Sequence, residues 1–113
     1  MIENDLVPRA SVWLERRGVY LLGDAEAQLL EAIERTGSIK EAAKIVELSY
    51  RTAWARVQNL EQALGTPAVE SRAGGPRGGT SALTGDAREL LRRHGDLRRR
   101  VVELLQRAPI PTP

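Results

Sequence analysis

A chain of 113 residues, 42% hydrophobic and 28% charged, is long enough to bury one core and too short for a binding domain joined to a separate sensor lobe. The absence of cysteine excludes disulfides, thiolate metal sites and a cysteine nucleophile, and the single histidine, His94, excludes a histidine-cluster metal centre within one chain. Net charge is only +2 but unevenly spread: residues 1–35 hold four Lys and Arg against seven Asp and Glu, the remainder thirteen against eight, a bias compatible with a polyanionic partner.

No apolar run approaches membrane-spanning length, and the start MIENDLVPRA lacks the basic-then-apolar order of a signal peptide, so a cytoplasmic protein without a membrane partner is expected. Residues 1–10 contain Pro8 and mixed charge without periodicity and are expected to be loosely ordered. In SVWLERRGVYLLG, Val12 and Leu14 alternate with Trp13 and Glu15, Arg16-Arg17-Gly18 supplies a turn, and Val19 to Leu22 form a second β-prone run. A hairpin covering one end of a helical core is the expectation.

Asp24 is expected to cap a first helix, DAEAQLLEAIERTG, in which Ala25, Leu29, Leu30 and Ile33 recur at helical spacing before Gly37 stops it. Its carboxylates, Asp24, Glu26, Glu31 and Glu34, should face solvent or a protein rather than phosphate. Ser38 and Glu41 have the spacing of a capping box for a second helix, whose narrow apolar face is Ile39, Ala42, Ala43 and Val46, with Lys40 and Lys44 on its polar side. After a tight Glu47-Leu48-Ser49 turn, with Leu48 placed to plug the corner, Ser49 caps a third helix, Tyr50 to Leu64, ended by Gly65 and Pro67.

At ~100° per residue, Ala53, Val57, Leu60 and Leu64 of that third helix share one sector, and Arg51, Ala55, Gln58 and Gln62 share the opposite one, flanked by Thr52, Asn59 and Trp54. Residues 37–64 therefore read as a helix-turn-helix. A major groove admits one helix, and a reader needs donors and acceptors on its exposed face with cations around it. Arg51 suits a guanine edge, Gln58 and Asn59 suit adenine, and Thr52 suits a thymine methyl or a phosphate; Tyr50, Arg51, Thr52 and Ala55 rank first because the N-terminal half of such a helix meets the bases. The bland alternative is a solvated polar face. Trp54 is expected to pack on a neighbouring helix or wing in preference to DNA.

AVESR and TSAL flank the glycine-rich RAGGPRGG and predict a wing over residues 68–83, with Arg72 and Arg77 as backbone contacts. Gly74 and Gly79 have P-loop spacing, but Thr80 stands where lysine is required, so no nucleotide site is read there. Thr84 caps a last helix over 84–107, and the Pro-rich tail 108–113 cannot continue it. Along that helix Ala87, Leu90, His94, Leu97, Val101, Leu104 and Ala108 repeat in steps of three and four, which predicts pairing with a second copy through Leu90, His94, Leu97, Val101 and Leu104. The alternative is packing on the chain's own hairpin and first helix. His94 is expected to be a partly buried polar residue setting register rather than a pH-sensitive contact. Nothing resembles a catalytic set, and no cofactor or metal is expected.

The fold expected is mainly α with small β elements: a winged helix-turn-helix over residues 11–107, with an N-terminal β-hairpin and a long C-terminal dimerisation helix. The motifs GSI-x-x-AAK, SYR-x-AW and R-A-GG-x-x-GG followed by LT before a long helix resemble the LysR-like winged helix-turn-helix, and more closely the N-terminal domain of ModE-type molybdate-responsive transcriptional regulators, over roughly residues 11 to 105. The resemblance implies a homodimer on a palindromic DNA operator. By position, contacts would come from Ser49, Tyr50, Arg51, Thr52 and Ala55, from Ser38 and Lys40, and from Arg72 and Arg77 on the wing. ModE-type regulators continue into oxyanion-binding domains with no counterpart here before Pro113. A stand-alone domain is therefore expected, constitutive or served by a separate effector-sensing protein, with no molybdate response carried over. Two other readings are a protein-interaction module, including a mixed-dimer partner of a longer regulator, and a small oxyanion-binding protein using Arg72 and Arg77.

Overall fold

The computed structural model describes residues 5–72, 79–108 and 110–111. Its elements run β1 (Leu14–Arg16), β2 (Val19–Leu22), α1 (Asp24–Thr36), α2 (Ile39–Ile45), α3 (Tyr50–Leu64), β3 (Val69–Arg72), β4 (Thr80–Leu83) and α4 (Gly85–Arg107). The expected class holds: the described residues form four helices and two antiparallel two-stranded hairpins, β1–β2 and β3–β4.

Arg16 pairs with Val19 across a two-residue loop in which Arg17 and Gly18 both take positive φ, 54° and 78°, the combination a type I′ hairpin turn requires. β2 turns Leu21 and Leu22 into the core while Val19 and Tyr20 stay exposed. The cap of α1 lies one residue before the expected Asp24. Gly23 is the N-cap, and its amide donates to the Glu26 carboxylate at 2.9 Å. The buried face of α1 is Ala27, Leu29, Leu30, Ala32 and Ile33; Ala25, expected on it, is exposed. Here Ala27 and Ala32 supply small surfaces against which neighbouring elements approach closely.

Gly37 ends α1 in the left-handed region (φ 71°), donating to Ile33 O at 2.8 Å, and its own carbonyl accepts from Ser81 N of β4 at 2.7 Å. One residue thus stops a helix and pins the second hairpin beside the α1–α2 turn. Ser38 caps α2 by accepting from Glu41 N at 3.1 Å. The reciprocal half of the expected capping box is missing: Ser38 N donates instead to Thr36 Oγ1 at 3.3 Å, and Glu41 pairs with Lys44 at 3.4 Å. Ala42, Ala43 and Ala53 are essentially inaccessible, which lets α2 and α3 cross closely over α1, and Val57 and Leu60 extend the same core.

The N-terminal half of α4 lies on this core through Ala87, Leu90, Leu91 and His94. Beyond it the helix projects: Leu97 is 41% exposed and Leu104 65%. The radius of gyration, 17.1 Å, accordingly exceeds the ~13 Å of a compact chain of this length. No helix among the described residues is long and apolar enough to cross a membrane.

Candidate nucleic-acid interface

Both ends of α3 are fixed locally. Ser49 Oγ accepts from Thr52 N at 3.0 Å and donates to Thr52 Oγ1 at 2.9 Å, while Gly65 (φ 82°) closes the other end with its amide on Glu61 O at 2.8 Å. With Ala53, Val57 and Leu60 turned inward, Arg51, Thr52, Ala55 and Asn59 are exposed and Gln58 half-buried. Tyr50 is 54% exposed and Trp54 47%, one turn apart on the flank of this face. About half of the Trp54 surface is thus open to solvent. The first turn of α3 holds no carboxylate of its own to oppose an anion at its positive dipole end.

The ion pairs among the described residues engage Lys44, Arg56, Arg88, Arg92, His94, Arg98 and Arg99. Arg51, Lys40 and Arg72 take part in none of them. Lys40 is exposed in the first turn of α2; Ser38 is half-buried with its hydroxyl engaged as a cap. Arg72 ends β3 opposite Thr80, exposed at the outer end of the β3–β4 ladder. Arg77, expected beside it, lies outside the described residues, as do Gly74 and Gly75 of the loop.

Polar contacts that the sequence did not reveal set the angles between these parts. Glu61, on the edge of α3, accepts from Ala68 N at 2.8 Å and Val69 N at 3.3 Å, which ties the start of β3 to the recognition helix. Thr84, besides capping α4, donates to Pro67 O at 2.8 Å. The available signal for Glu61 is a carboxylate near a helix C-terminus, where the dipole disfavours it unless it has donors to accept from.

Three of the four acidic residues of α1 also serve the chain itself, while Glu31 is exposed as expected. Glu26 accepts from the Tyr20 hydroxyl and from Gly23 N, and pairs with Arg56 of α3 at 3.2 Å. Glu34 pairs with Arg88 at 3.1 Å, and Asp24 lies 3.2 Å from His94 and 3.6 Å from Arg98. Burial works to raise the Glu26 carboxyl, but the Tyr20 hydroxyl, the Gly23 and Glu26 amides and Arg56 outweigh it and hold it below the usual carboxylate range. Burial first, then the bond to Glu26 and its charge, push the Tyr20 hydroxyl up to about 12.

A carboxyl with a depressed folded pKa contributes stability that is complete above its unfolded value, ~4.3, and is lost as pH falls through the lower folded value. Glu26→Gln should therefore lower the melting temperature at neutral pH, and its deficit relative to the parent should shrink on acidification below about pH 4.3. A deficit equal at every pH in a series of thermal melts would show that Glu26 is not held ionised by this cluster.

The expected dimer seam needs one correction. His94 is 2% exposed within a single chain, and its Nε2 donates to Val12 O at 2.7 Å. A carbonyl only accepts, so Nε2 carries a proton that points into its own subunit. Leu90 and Val101 are half-buried, leaving Leu97 and Leu104 as the exposed part of the stripe.

The profile of the bacterial regulatory helix-turn-helix proteins of the lysR family matches residues 25–88, spanning α1, α2, α3, the second hairpin and the start of α4. The chain belongs to that family. Among curated relatives, this lysR-family chain is 42% identical over 94 residues to the molybdenum-pterin-binding protein MopB of Rhodobacter capsulatus, covering 83% of this chain and 34% of that one. It is 44% identical over 70 residues to the molybdenum transport protein ModE of Azotobacter vinelandii, covering 62% of this chain and 26% of that one. It is 38% identical over 72 residues to the transcriptional regulator ModE of Haemophilus influenzae, covering 64% and 28%. The chain thus matches about a third or less of the length of these relatives. A solved structure described as the CbnR_DBD-DNA complex superposes with a TM-score of 0.51 at 27% identity, covering 73% of this chain and 84% of that one.

Proposed function

We propose that this lysR-family chain is a sequence-specific DNA-binding transcriptional regulator, acting as a homodimer on an inverted-repeat operator. The observation that carries this is the exposed face of α3 with Arg51, Thr52, Ala55 and Asn59, and the exposed cations Arg51, Lys40 of α2 and Arg72 of the wing, which take part in no ion pair among the described residues. Likeness to a DNA-binding domain solved with DNA supports the same reading. Leu97 and Leu104 on the projecting half of α4 supply the apolar surface for a second copy. No catalytic role, cofactor or membrane is assigned, and a cytoplasmic location fits a partner of duplex DNA. The molybdenum in the relatives' names is not carried to this chain, because the matched stretch is only 26–34% of those proteins.

Selection of binding sites from random duplex DNA tests the proposal. A dimer should enrich an inverted repeat with half-sites about 34 Å apart, one helical turn, or a multiple of it. Enrichment of no motif, with equal affinity for all duplexes at low salt, would favour a protein-interaction module instead. Lys40→Ala should weaken selected and scrambled duplexes alike and reduce the slope of log affinity against log salt by about 1, read by fluorescence titration over a salt series.

A further inference from the structure

Arg16 is the last residue of β1, and its Nη2 donates to Ala63 O at 3.1 Å and Leu64 O at 2.7 Å, across 47 and 48 residues of sequence. These are carbonyls of the last turn of α3, which have no acceptor role inside the helix, and a guanidinium placed there also meets the negative end of the helix dipole. α3 supplies no basic residue of its own in that turn. The approach is close: a Cβ at Gly65, the C-cap, would stand 3.8 Å from the same Arg16 nitrogen.

The hairpin that carries Arg16 is itself held at two further points. His94 of α4 donates to Val12 O at 2.7 Å, just before β1, and Tyr20 of β2 meets Arg56 of α3 through the shared Glu26 carboxylate. The β1–β2 hairpin therefore bridges α4 and the C-terminal end of α3. Arg51 and Thr52, which head the proposed DNA-reading face, lie at the other end of α3, so a small change of tilt at Leu64 is levered into a displacement at Arg51.

We propose that Arg16 is a positioning residue for DNA recognition: by tying the last turn of α3 to a hairpin anchored on α4, it sets the angle at which α3 meets the groove. The role rests on the DNA-binding reading above. Arg16 touches neither base nor phosphate in it and acts through the helix it holds.

The test uses the full chain as Arg16→Ala and Arg16→Lys beside the parent, titrated with a selected duplex and a scrambled duplex of equal length, together with residue-resolved amide hydrogen exchange. Arg16→Ala should lose about tenfold in affinity for the selected duplex, the scale of one charged hydrogen-bonding group. Affinity for the scrambled duplex and the salt slope should stay as they were, and exchange should quicken in the last turn of α3 but not in α1. Arg16→Lys should recover part of the loss, because an ammonium can still reach a carbonyl. If Arg16→Ala melts below the working temperature, Arg16→Gln, which keeps a neutral donor, takes its place in the same comparison. Equal losses on both duplexes would make Arg16 a phosphate contact and overturn the proposal, as would an unchanged selected-to-scrambled ratio or unchanged exchange in α3. A parent protein that does not distinguish the duplexes overturns the operator reading instead, and the exchange pattern alone then decides whether Arg16 holds α3.

Discussion

Arg51→Ala is expected to lose about 1–3 kcal/mol of binding to a selected operator, roughly 5- to 150-fold, and to relax preference at one base pair of each half-site. The melting temperature should not move. Arg51 is exposed in the first turn of α3, outside the ion pairs among the described residues, and the cap of that turn is made by Ser49 and Thr52 without it. Removing its guanidinium therefore breaks no hydrogen bond or ion pair found among the described residues, and an exposed helical site accepts alanine readily. The planar fork suits the two acceptors of a guanine edge, so the deficit should be greatest on the preferred base and small on its alternatives. The decisive measurement is a titration of parent and variant against the operator and a panel of single-base-pair changes. An unchanged profile across that panel would mean that α3 does not read bases through Arg51, and the face it lies on would revert to an ordinary solvated surface.

Much of the fold was legible because its punctuation is local. Ser49 and Gly65 bracket α3 within the chain segment they cap, and Thr84 does the same for α4, so residue type and spacing are enough. The hairpins are equally local: Arg17-Gly18 forms the first turn, and Val69–Arg72 and Thr80–Leu83 pair across the second. What periodicity does not carry is the identity of whatever covers a face. His94 sits on the same stripe of α4 as Leu97 and Leu104, yet it is covered by a backbone carbonyl 82 residues earlier, while the two leucines stay exposed. A spacing of three and four records which residues share a side of the helix, and only the path of the N-terminal segment decides which of them it covers. The same holds for Arg16 on the carbonyls of Ala63 and Leu64, and for Glu26 between Tyr20 and Arg56. A charged residue on a strand or in a first helical turn has bland local reasons to be there, so its distant partner leaves no trace in the pattern. The exposed face of α3 was legible by subtraction, since burying Ala53, Val57 and Leu60 leaves Arg51, Thr52 and Ala55 outward.

The largest loss of stability should follow Ile33→Ala, about 2–5 kcal/mol, because a fully inaccessible side chain is cut back to a methyl group and the core closes only partly over the cavity. Alanine's better helix propensity returns less than ~0.7 kcal/mol. Against a total of about 5–15 kcal/mol for a domain of this kind, such a loss lowers the melting temperature by roughly 4–8 °C per kcal/mol. Position matters as much as volume. Ile33 O receives the Gly37 amide at 2.8 Å, and Gly37 O in turn receives Ser81 N of the wing at 2.7 Å, so the cavity opens beneath the corner that fixes both the start of α2 and β4. Local opening there should speed amide exchange at Gly37 and Ser81 before it reaches α3. Urea denaturation should show a lower midpoint with an unchanged slope, the sign of lost stability without an altered unfolded state. Under conditions where the variant is still fully folded, its selected-to-scrambled binding ratio should equal that of the parent, since every base-facing side chain remains. A midpoint within experimental error of the parent's would mean that Ile33 is not the packed centre of α1.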